Sequence, residues 1–136
     1  MFDFTNVEEQ KNYVDAGVYD AHVEKAEFKM SQAGSEYLSV GFQLDKEKMF
    51  VWEIFNVFHP KDQVRNIAMS QLKGLLAASG IDASKMAKVG KEELLEHVLT
   101  CRCSMKLKVV NDDYGTKNKV VSYMAQDEGV SDKAPF

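Results

Sequence analysis

The feature that most constrains the fold is an aromatic stretch at residues 48–60, which is followed at once by a helical pattern. It contains the single Trp and three of the eight Phe of the chain, and such a density of aromatic and β-branched residues predicts a strand. Alternation divides the stretch into one set of Phe50, Trp52, Ile54, Asn56 and Phe58 and another of Met49, Val51, Glu53, Phe55, Val57 and His59. Both sets are largely apolar, whereas a strand with one face in water should be polar on that face. Either protein covers both faces, or one face binds a ligand that favours aromatic rings.

The segments before this stretch predict two further strands. Apolar and polar residues alternate from Gly17, and the alternation changes phase at Lys25, which indicates a β-bulge. Residues 31–35 form a turn cluster, and residues 36–46 alternate again. The aliphatic face of this second strand consists of Leu38, Val40, Phe42 and Leu44. With the aromatic stretch, these segments predict a three-stranded antiparallel meander.

The segments after the stretch predict helices and two more strands. Pro60 suits the first position of a helix and Gly80 suits its C-terminal stop. A short helix is predicted over residues 91–97, a strand over residues 99–110, and a last strand over residues 118–125 after a turn-rich loop. The strand before that loop has an apolar face of Cys101, Cys103, Met105, Leu107 and Val109 and an opposite face of Arg102, Ser104, Lys106 and Lys108.

This order of elements predicts a mainly β fold. Three strands, a helix and two strands are the order of an OB-fold, a small five-stranded Greek-key barrel with a helix between strands 3 and 4. We expect such a barrel over residues 16–125, with an N-terminal arm at residues 1–15 and a disordered acidic tail at residues 126–136. An α+β sheet with one packed helix is the other architecture that the order permits, but the bulge and the apolar third strand favour the barrel.

Composition limits the class of protein. A chain of 136 residues with 45% hydrophobic and 28% charged residues is sufficient for one globular domain. No apolar run approaches the roughly 20 residues of a membrane span, and the N-terminus lacks a signal segment, so we expect a cytoplasmic protein without a membrane partner. Cys101 and Cys103 are separated by one residue on a strand, and we expect buried thiols there rather than a disulfide.

The net charge of −4 argues against nucleic-acid binding when it is taken alone. Its distribution changes this interpretation. Residues 1–15 carry −3, residues 126–136 carry −2, and residues 16–125 hold 15 basic and 14 acidic side chains. The central segment is therefore close to neutral, and local basic patches on it can bind an anion.

Enzymatic chemistry has little support in the sequence. His22, His59 and His97 lie on different elements without the spacing of metal ligands, and no glycine-rich phosphate loop occurs. Glu53 is the one carboxylate within an apolar strand, so burial could raise its pKa. A Glu on the outside of a barrel, paired with a Lys, is the more ordinary interpretation. We predict no enzymatic activity, no cofactor and no metal site.

Binding of single-stranded nucleic acid has better support. Proteins with this function combine a basic groove along the backbone with aromatic rings on which bases stack. The predicted phosphate contacts are Arg102, Lys106 and Lys108, with help from Lys25, Lys29 and Lys117. The predicted stacking residues are Trp52, Phe55 and Tyr114, with Tyr37 as a further candidate. A solvated strand face is the plain alternative for the basic row, and burial in the core is the plain alternative for the rings. The alternation leaves open whether the exposed set of the third strand contains Trp52 or Phe55.

The C-terminal segment resembles the tails of bacterial and phage single-stranded-DNA-binding proteins, which are acidic and end in Pro-Phe or Phe. The residues that carry this resemblance are Asp127, Glu128, Asp132, Pro135 and Phe136. The carboxylates of such a tail compete with phosphates for a basic groove, and a terminal Phe can enter an apolar pocket of a partner. The resemblance implies recruitment of replication or recombination proteins.

Several short segments carry a second resemblance. They are Phe2-Asp-Phe4, Gly17-Val-Tyr19, Ala26-Glu27, Gly34-Ser-Glu-Tyr-Leu38, Phe55-Asn-Val-Phe-His-Pro60 and Gln71-Leu-Lys-Gly-Leu75. Together they resemble a phage family long catalogued as a domain of unknown function and encoded near recombination and replication genes. The resemblance implies an OB-like fold that binds single-stranded DNA or supports annealing, in the bacterial host cytoplasm. It assigns no individual contact residues.

The leading hypothesis is a non-enzymatic, sequence-independent single-stranded-DNA-binding protein that supports phage DNA replication or recombination. The alternative is an OB-like protein-interaction module, an accessory subunit without direct DNA binding. A small nuclease on the same barrel is a third hypothesis. The sequence does not fix the oligomeric state, although a homo-oligomer is compatible with it, and it does not distinguish DNA from RNA or identify the protein that binds the tail.

Overall fold

The protein is described here by a computed structural model that covers residues 12–85, 89–113 and 115–126. Five strands within these residues form one antiparallel sheet: β1 (Gly17–Met30), β2 (Glu36–Leu44), β3 (Phe50–Phe55), β4 (Arg102–Asp112) and β5 (Gly115–Met124). Two helices, α1 (Asp62–Ala78) and α2 (Lys91–Leu99), lie between β3 and β4 in the chain. The predictions of a mainly β fold and of a helix between strands 3 and 4 are confirmed.

The order of strands across the sheet is β3-β2-β1-β4-β5. The two edge strands, β3 and β5, share no hydrogen-bonded ladder within the described residues. A side chain bridges them instead, because the backbone N–H of Val120 donates a hydrogen bond to Glu53 Oε2 at 3.4 Å. The sheet therefore curls until its edges approach each other, but backbone pairing does not close it.

β1 is long because it pairs with two neighbours. Its first part pairs with β4 as far as His22, and it pairs with β2 from Ala21 to Met30. The register with β2 shifts between Val23 and Lys25, so the predicted bulge is confirmed. A bulge bends its strand and increases the local twist, which lets β1 leave β4 while it continues beside β2.

The core lies between the inner face of the sheet and the helices. The predicted aliphatic face of β2 is buried throughout, and the apolar face of β4 is buried from Cys103 to Leu107. Cys101 and Cys103 are both buried free thiols, as predicted. Val109 departs from the prediction, because it is exposed near the end of the β4–β5 hairpin.

The helix ends differ slightly from the predicted ones. α1 begins at Asp62, two residues after Pro60. It ends as predicted, because Gly80 has a φ of +83° and its N–H donates to the Ala77 carbonyl while the N–H of Ile81 donates to the Leu76 carbonyl. This pattern is a Schellman motif, in which glycine accepts a left-handed conformation that other residues rarely adopt. Within the described residues no helix combines the length and the apolar composition that crossing a membrane requires.

The β4–β5 hairpin is tighter than the sequence suggested. Residues 111–117 were expected to form a loop, but Asp112 pairs with Gly115, so most of this segment belongs to the strands. α2 continues to Leu99, and β4 accordingly starts at Arg102. The segment before β1 is held against β5, because Val14 N–H donates to Asn118 Oδ1 at 2.8 Å and Asn118 Nδ2 donates to the Val14 carbonyl at 2.8 Å.

Candidate nucleic-acid interface

A groove of about 760 Å³ crosses the outer side of the sheet. Its walls come from three elements: the tip of the β1–β2 hairpin, the outer face of β3, and the start of β5. Of the predicted site residues, Tyr37, Trp52 and Lys117 line this groove. Tyr37 is half-buried and Trp52 is exposed, so the groove offers aromatic surface to a ligand.

The pairing of β3 with β2 decides which aromatic set faces the groove. Phe55 lies opposite Leu38 in the core and is 1% exposed, whereas Trp52 lies opposite Gly41 and is 48% exposed. The prediction that Phe55 stacks on bases is therefore wrong, because neither face of its ring is accessible. The outward set is the one that contains Phe50, Trp52 and Ile54.

Three strands contribute to the surface around Trp52. In register, Lys25 of β1 lies opposite Gly41 of β2, which lies opposite Trp52 of β3. Lys29 lies opposite Tyr37 in the same sheet, and its Nζ is 6.0 Å from the centroid of the Trp52 ring. Four of the predicted site residues, Lys25, Lys29, Tyr37 and Trp52, therefore share one face of the sheet.

The β5 wall of the groove is basic. Lys117 Nζ lies 2.9 Å from Asp112 Oδ2, and Lys119 Nζ lies 3.9 Å from Glu53 Oε1. Both lysine side chains are more than half exposed, and an exposed ion pair such as Lys117–Asp112 contributes only about 0.2–1 kcal/mol. A phosphate can therefore replace the Asp112 carboxylate at little cost, whereas Lys119 also compensates the largely buried Glu53 carboxylate and would have to contact both anions. Lys119 was not among the predicted contacts, although the alternation of β5 places it on the outer face.

The predicted phosphate row on β4 lies outside the groove. The positive charge of Arg102 is neutralised by Asp45, because Arg102 Nη1 donates a hydrogen bond to Asp45 Oδ2 at 3.1 Å. Lys106 and Lys108 are exposed, and Lys108 is the register partner of Lys119 on β5. The row was therefore correctly assigned to the outer face, but only its Lys108 end adjoins the basic wall of the groove.

Glu53 separates the groove from the core. Its side chain is 12% exposed, and burial raises the pKa of its carboxyl, although Lys119, the N–H of Val120 and Lys117 act in the opposite direction. Both interpretations of this residue are partly correct, because Glu53 is a largely buried carboxylate with a raised pKa and it also faces a lysine. Glu53 belongs to β3, and its side chain accepts a hydrogen bond from Val120 of β5. It therefore forms the inner boundary of the basic wall.

A second polar cluster lies on the outer face of β1. His22 Nδ1 is 2.7 Å from Asp45 Oδ1, and His22 Nε2 is 3.0 Å from Glu24 Oε1. These hydrogen bonds to Asp45 and Glu24 raise the pKa of His22. Asp45 of this cluster also neutralises the charge of Arg102, so we expect this end of the sheet to bind an anion weakly. Across residues 12–85, 89–113 and 115–126, no group of three or more His, Cys, Asp or Glu side chains is arranged to bind a metal ion.

Some predicted contacts fall outside the described residues. They are Tyr114, which lies between β4 and β5 in the chain, and the tail residues Asp127, Glu128, Asp132, Pro135 and Phe136. Their proposed roles therefore remain predictions from the sequence.

Comparisons with known proteins assign no family to the chain. No protein-family model matches it. No curated protein matches it either. The geometry of the groove is therefore the main support for a function.

Proposed function

We propose that this chain is a non-enzymatic, sequence-independent single-stranded-DNA-binding protein and that its sheet is a partly open OB-like barrel. The order of elements, the bulged first strand and the approach of β3 to β5 support the barrel. OB-folds bind oligonucleotides on the face of strands 2 and 3, between the loops that join strands 1 to 2 and 4 to 5. The groove over Trp52 lies between the β1–β2 tip and the start of β5, which would be the equivalent position in such a barrel.

One observation carries the proposal: the exposed ring of Trp52, the half-buried ring of Tyr37 and the lysines of β5 meet in one open groove. Bases would stack on Trp52, with Tyr37 beside it. Phosphates would contact Lys117 and Lys119 on one side and Lys29 on the other. Neither kind of contact reads a base edge, so binding would be independent of sequence. Lys25, Lys106 and Lys108 would extend the basic path beyond the groove.

The biological setting is the part of the proposal that rests on sequence resemblance alone. A phage origin would place the protein in DNA replication or recombination, in the cytoplasm of a bacterial host. The acidic tail would recruit other replication or recombination proteins through its terminal Phe136 and would weaken binding to non-specific sites. Assembly into a homo-oligomer would let neighbouring copies cover a longer strand.

Titration with oligo-dT tests the proposal, because Trp52 is the only tryptophan and reports directly on the groove. An oligonucleotide of about 16 nucleotides covers the site of one OB-fold. Binding should quench the Trp52 fluorescence. If Lys29, Lys117 and Lys119 each neutralise one phosphate, the slope of log K against log salt should be about −2.1, since each phosphate contributes about −0.7.

Single lysine variants sharpen this test. Lys119→Gln should reduce the slope by about 0.7. Lys46→Gln is the matched control, because Lys46 is exposed in the β2–β3 turn and does not line the groove. Unchanged fluorescence together with no gel shift at low salt would overturn the proposal. Oligo-U in place of oligo-dT measures the preference between RNA and DNA.

A protein-interaction module is the second candidate, and the exposure of Ile54 favours it. Ile54 is 53% exposed on the same outer face of β3 as Phe50 and Trp52, and an apolar outer face of this kind suits a protein partner as well as bases. Failure of oligonucleotides to bind, combined with self-association that Ile54→Ser abolishes, would favour this function. Metal-dependent degradation of the oligonucleotide would favour the nuclease hypothesis instead.

A further inference from the structure

Gly41 lies beneath the ring of Trp52. A Cβ atom built on Gly41 would lie 2.9 Å from Cη2 and from Cζ3 of Trp52, and 3.2 Å from Cε3. These three atoms belong to the six-membered ring, so this part of the indole rests directly on the backbone of β2. Gly41 does not have a positive φ, and its backbone conformation is therefore open to any residue. The requirement for glycine at this position comes from the space that the ring occupies.

The contact with Gly41 leaves one face of the Trp52 ring for a ligand. The backbone of β2 covers the inner face, while the side chain remains 48% exposed and lines the groove. Lys29 Nζ and the centroid of the Phe50 ring each lie 6.0 Å from the centroid of the Trp52 ring, so a base that stacks there would also approach Lys29. A ring held flat in this way already has the orientation that stacking needs, so little side-chain freedom is lost when a base binds.

We propose that Gly41 is a positioning residue that sets the plane of the Trp52 ring and thereby the site where a nucleobase stacks. The DNA-binding part of this inference rests on the proposed function. A methyl group at residue 41 would tilt the rigid ring away from β2, because the backbone beneath the ring cannot move without breaking the pairing of β2 with β1 and β3. A branched side chain at this position would displace the ring completely.

The positioning itself can be tested without DNA. Gly41→Ala should shift the emission maximum of Trp52 and increase its quenching by acrylamide. Gly74→Ala on α1 is the control, because it adds the same methyl group where, among the described residues, no atom beyond the adjacent helix backbone lies within 4 Å. Alanine in a strand is otherwise more favourable than glycine. Gly41→Ala should therefore lower the melting temperature when Trp52 is present and raise it, or leave it unchanged, in a Trp52→Ala background.

The consequence for binding is tested with a labelled oligo-dT of about 16 nucleotides. Trp52→Ala should weaken binding by roughly 5- to 140-fold, which corresponds to the loss of one stacked base. Gly41→Val should weaken binding by a similar factor. The double variant that combines Gly41→Val with Trp52→Ala should bind no more weakly than Trp52→Ala alone, because both changes remove the same stacking contact. Circular dichroism confirms that each variant is folded, and Gly41→Ala serves if Gly41→Val is not.

The outcomes separate this inference from the proposed function. Unchanged Trp52 emission and quenching in Gly41→Ala would overturn the positioning role, whatever the protein binds. Additive losses of affinity in the double variant would show that Gly41 acts independently of Trp52 and would also overturn it. A wild-type protein that binds no oligonucleotide would refute the proposed function and the stacking role, while the fluorescence measurements would still decide whether Gly41 holds the ring.

Discussion

Trp52 and Phe55 lie three positions apart on β3, but replacing each of them by leucine should have a different effect. One replacement should weaken ligand binding, and the other should lower stability. Trp52→Leu removes a ring from the groove but keeps an apolar side chain over Gly41. Phe55→Leu removes a ring from the core, where Phe55 packs near Tyr123 with 6.5 Å between the ring centroids. The first change should therefore affect binding and the second should affect folding.

The sizes of the two effects follow from exposure. Phe55 is 1% exposed, and exchange of one apolar side chain for a smaller one in a packed core costs about 1–1.5 kcal/mol. With a urea m-value of about 2 kcal/mol/M, the unfolding midpoint should fall by roughly 0.5–0.75 M. Trp52 is 48% exposed, so Trp52→Leu should change stability by less than about 0.5 kcal/mol but weaken DNA binding by about 1–3 kcal/mol.

Far-ultraviolet circular dichroism in urea and anisotropy of a labelled oligo-dT measure the two effects separately. Neither assay depends on the fluorescence of Trp52, which one variant lacks. Weaker binding by Phe55→Leu, together with unchanged binding by Trp52→Leu, would refute the assignment of the two faces. A large loss of stability in Trp52→Leu would show that the ring serves the core.

Three further predictions concern ionisable groups and the tail. Because the pKa of Glu53 is raised above its ordinary value of 4.5, the ionised carboxylate opposes folding. Glu53→Gln should therefore unfold at higher urea than wild type at neutral pH, and this difference should disappear as the pH falls through the raised pKa; an advantage independent of pH would contradict the prediction. Burial raises the pKa of Cys101, and it raises that of Cys103 to about 12, so a thiol reagent should label both only in denaturant; rapid labelling of native protein would contradict this. Deletion of residues 127–136 should tighten oligo-dT binding at low salt, and equal affinity would exclude competition by the tail.

Local patterns predicted the parts of the fold that neighbouring residues determine. Alternation identified the buried faces of β2 and β4, the change of phase located the bulge at Lys25, and Gly80 ended α1. The predicted strand ends were less accurate, because Asp112 pairs with Gly115 and the ladder therefore continues through residues that are common in loops.

The site depended on contacts between distant residues, which alternation cannot reveal. Both alternate sets of β3 side chains are largely apolar. The set with Trp52 faces outward because Gly41 on the neighbouring strand β2 leaves room for the large ring of Trp52. The sequence predicted that Arg102 contacts phosphate, but Arg102 forms an ion pair with Asp45, which is 57 residues away in the chain. The small residue at Gly41 was the one local signal that could have identified the outward set.

The bulge in β1 also affects how far apart the two edges of the sheet lie. Glu24 is the extra residue between Val23 and Lys25, and its presence bends β1 so that the sheet curls and β3 approaches β5 at Val120. Without this residue the alternation of faces would persist, but β1 would lose the local bend and the added twist that a bulge supplies. Flat sheets with open edges pair readily with other chains and aggregate. The length of β1 thus affects the exposure of the sheet edges as well as the packing of the core.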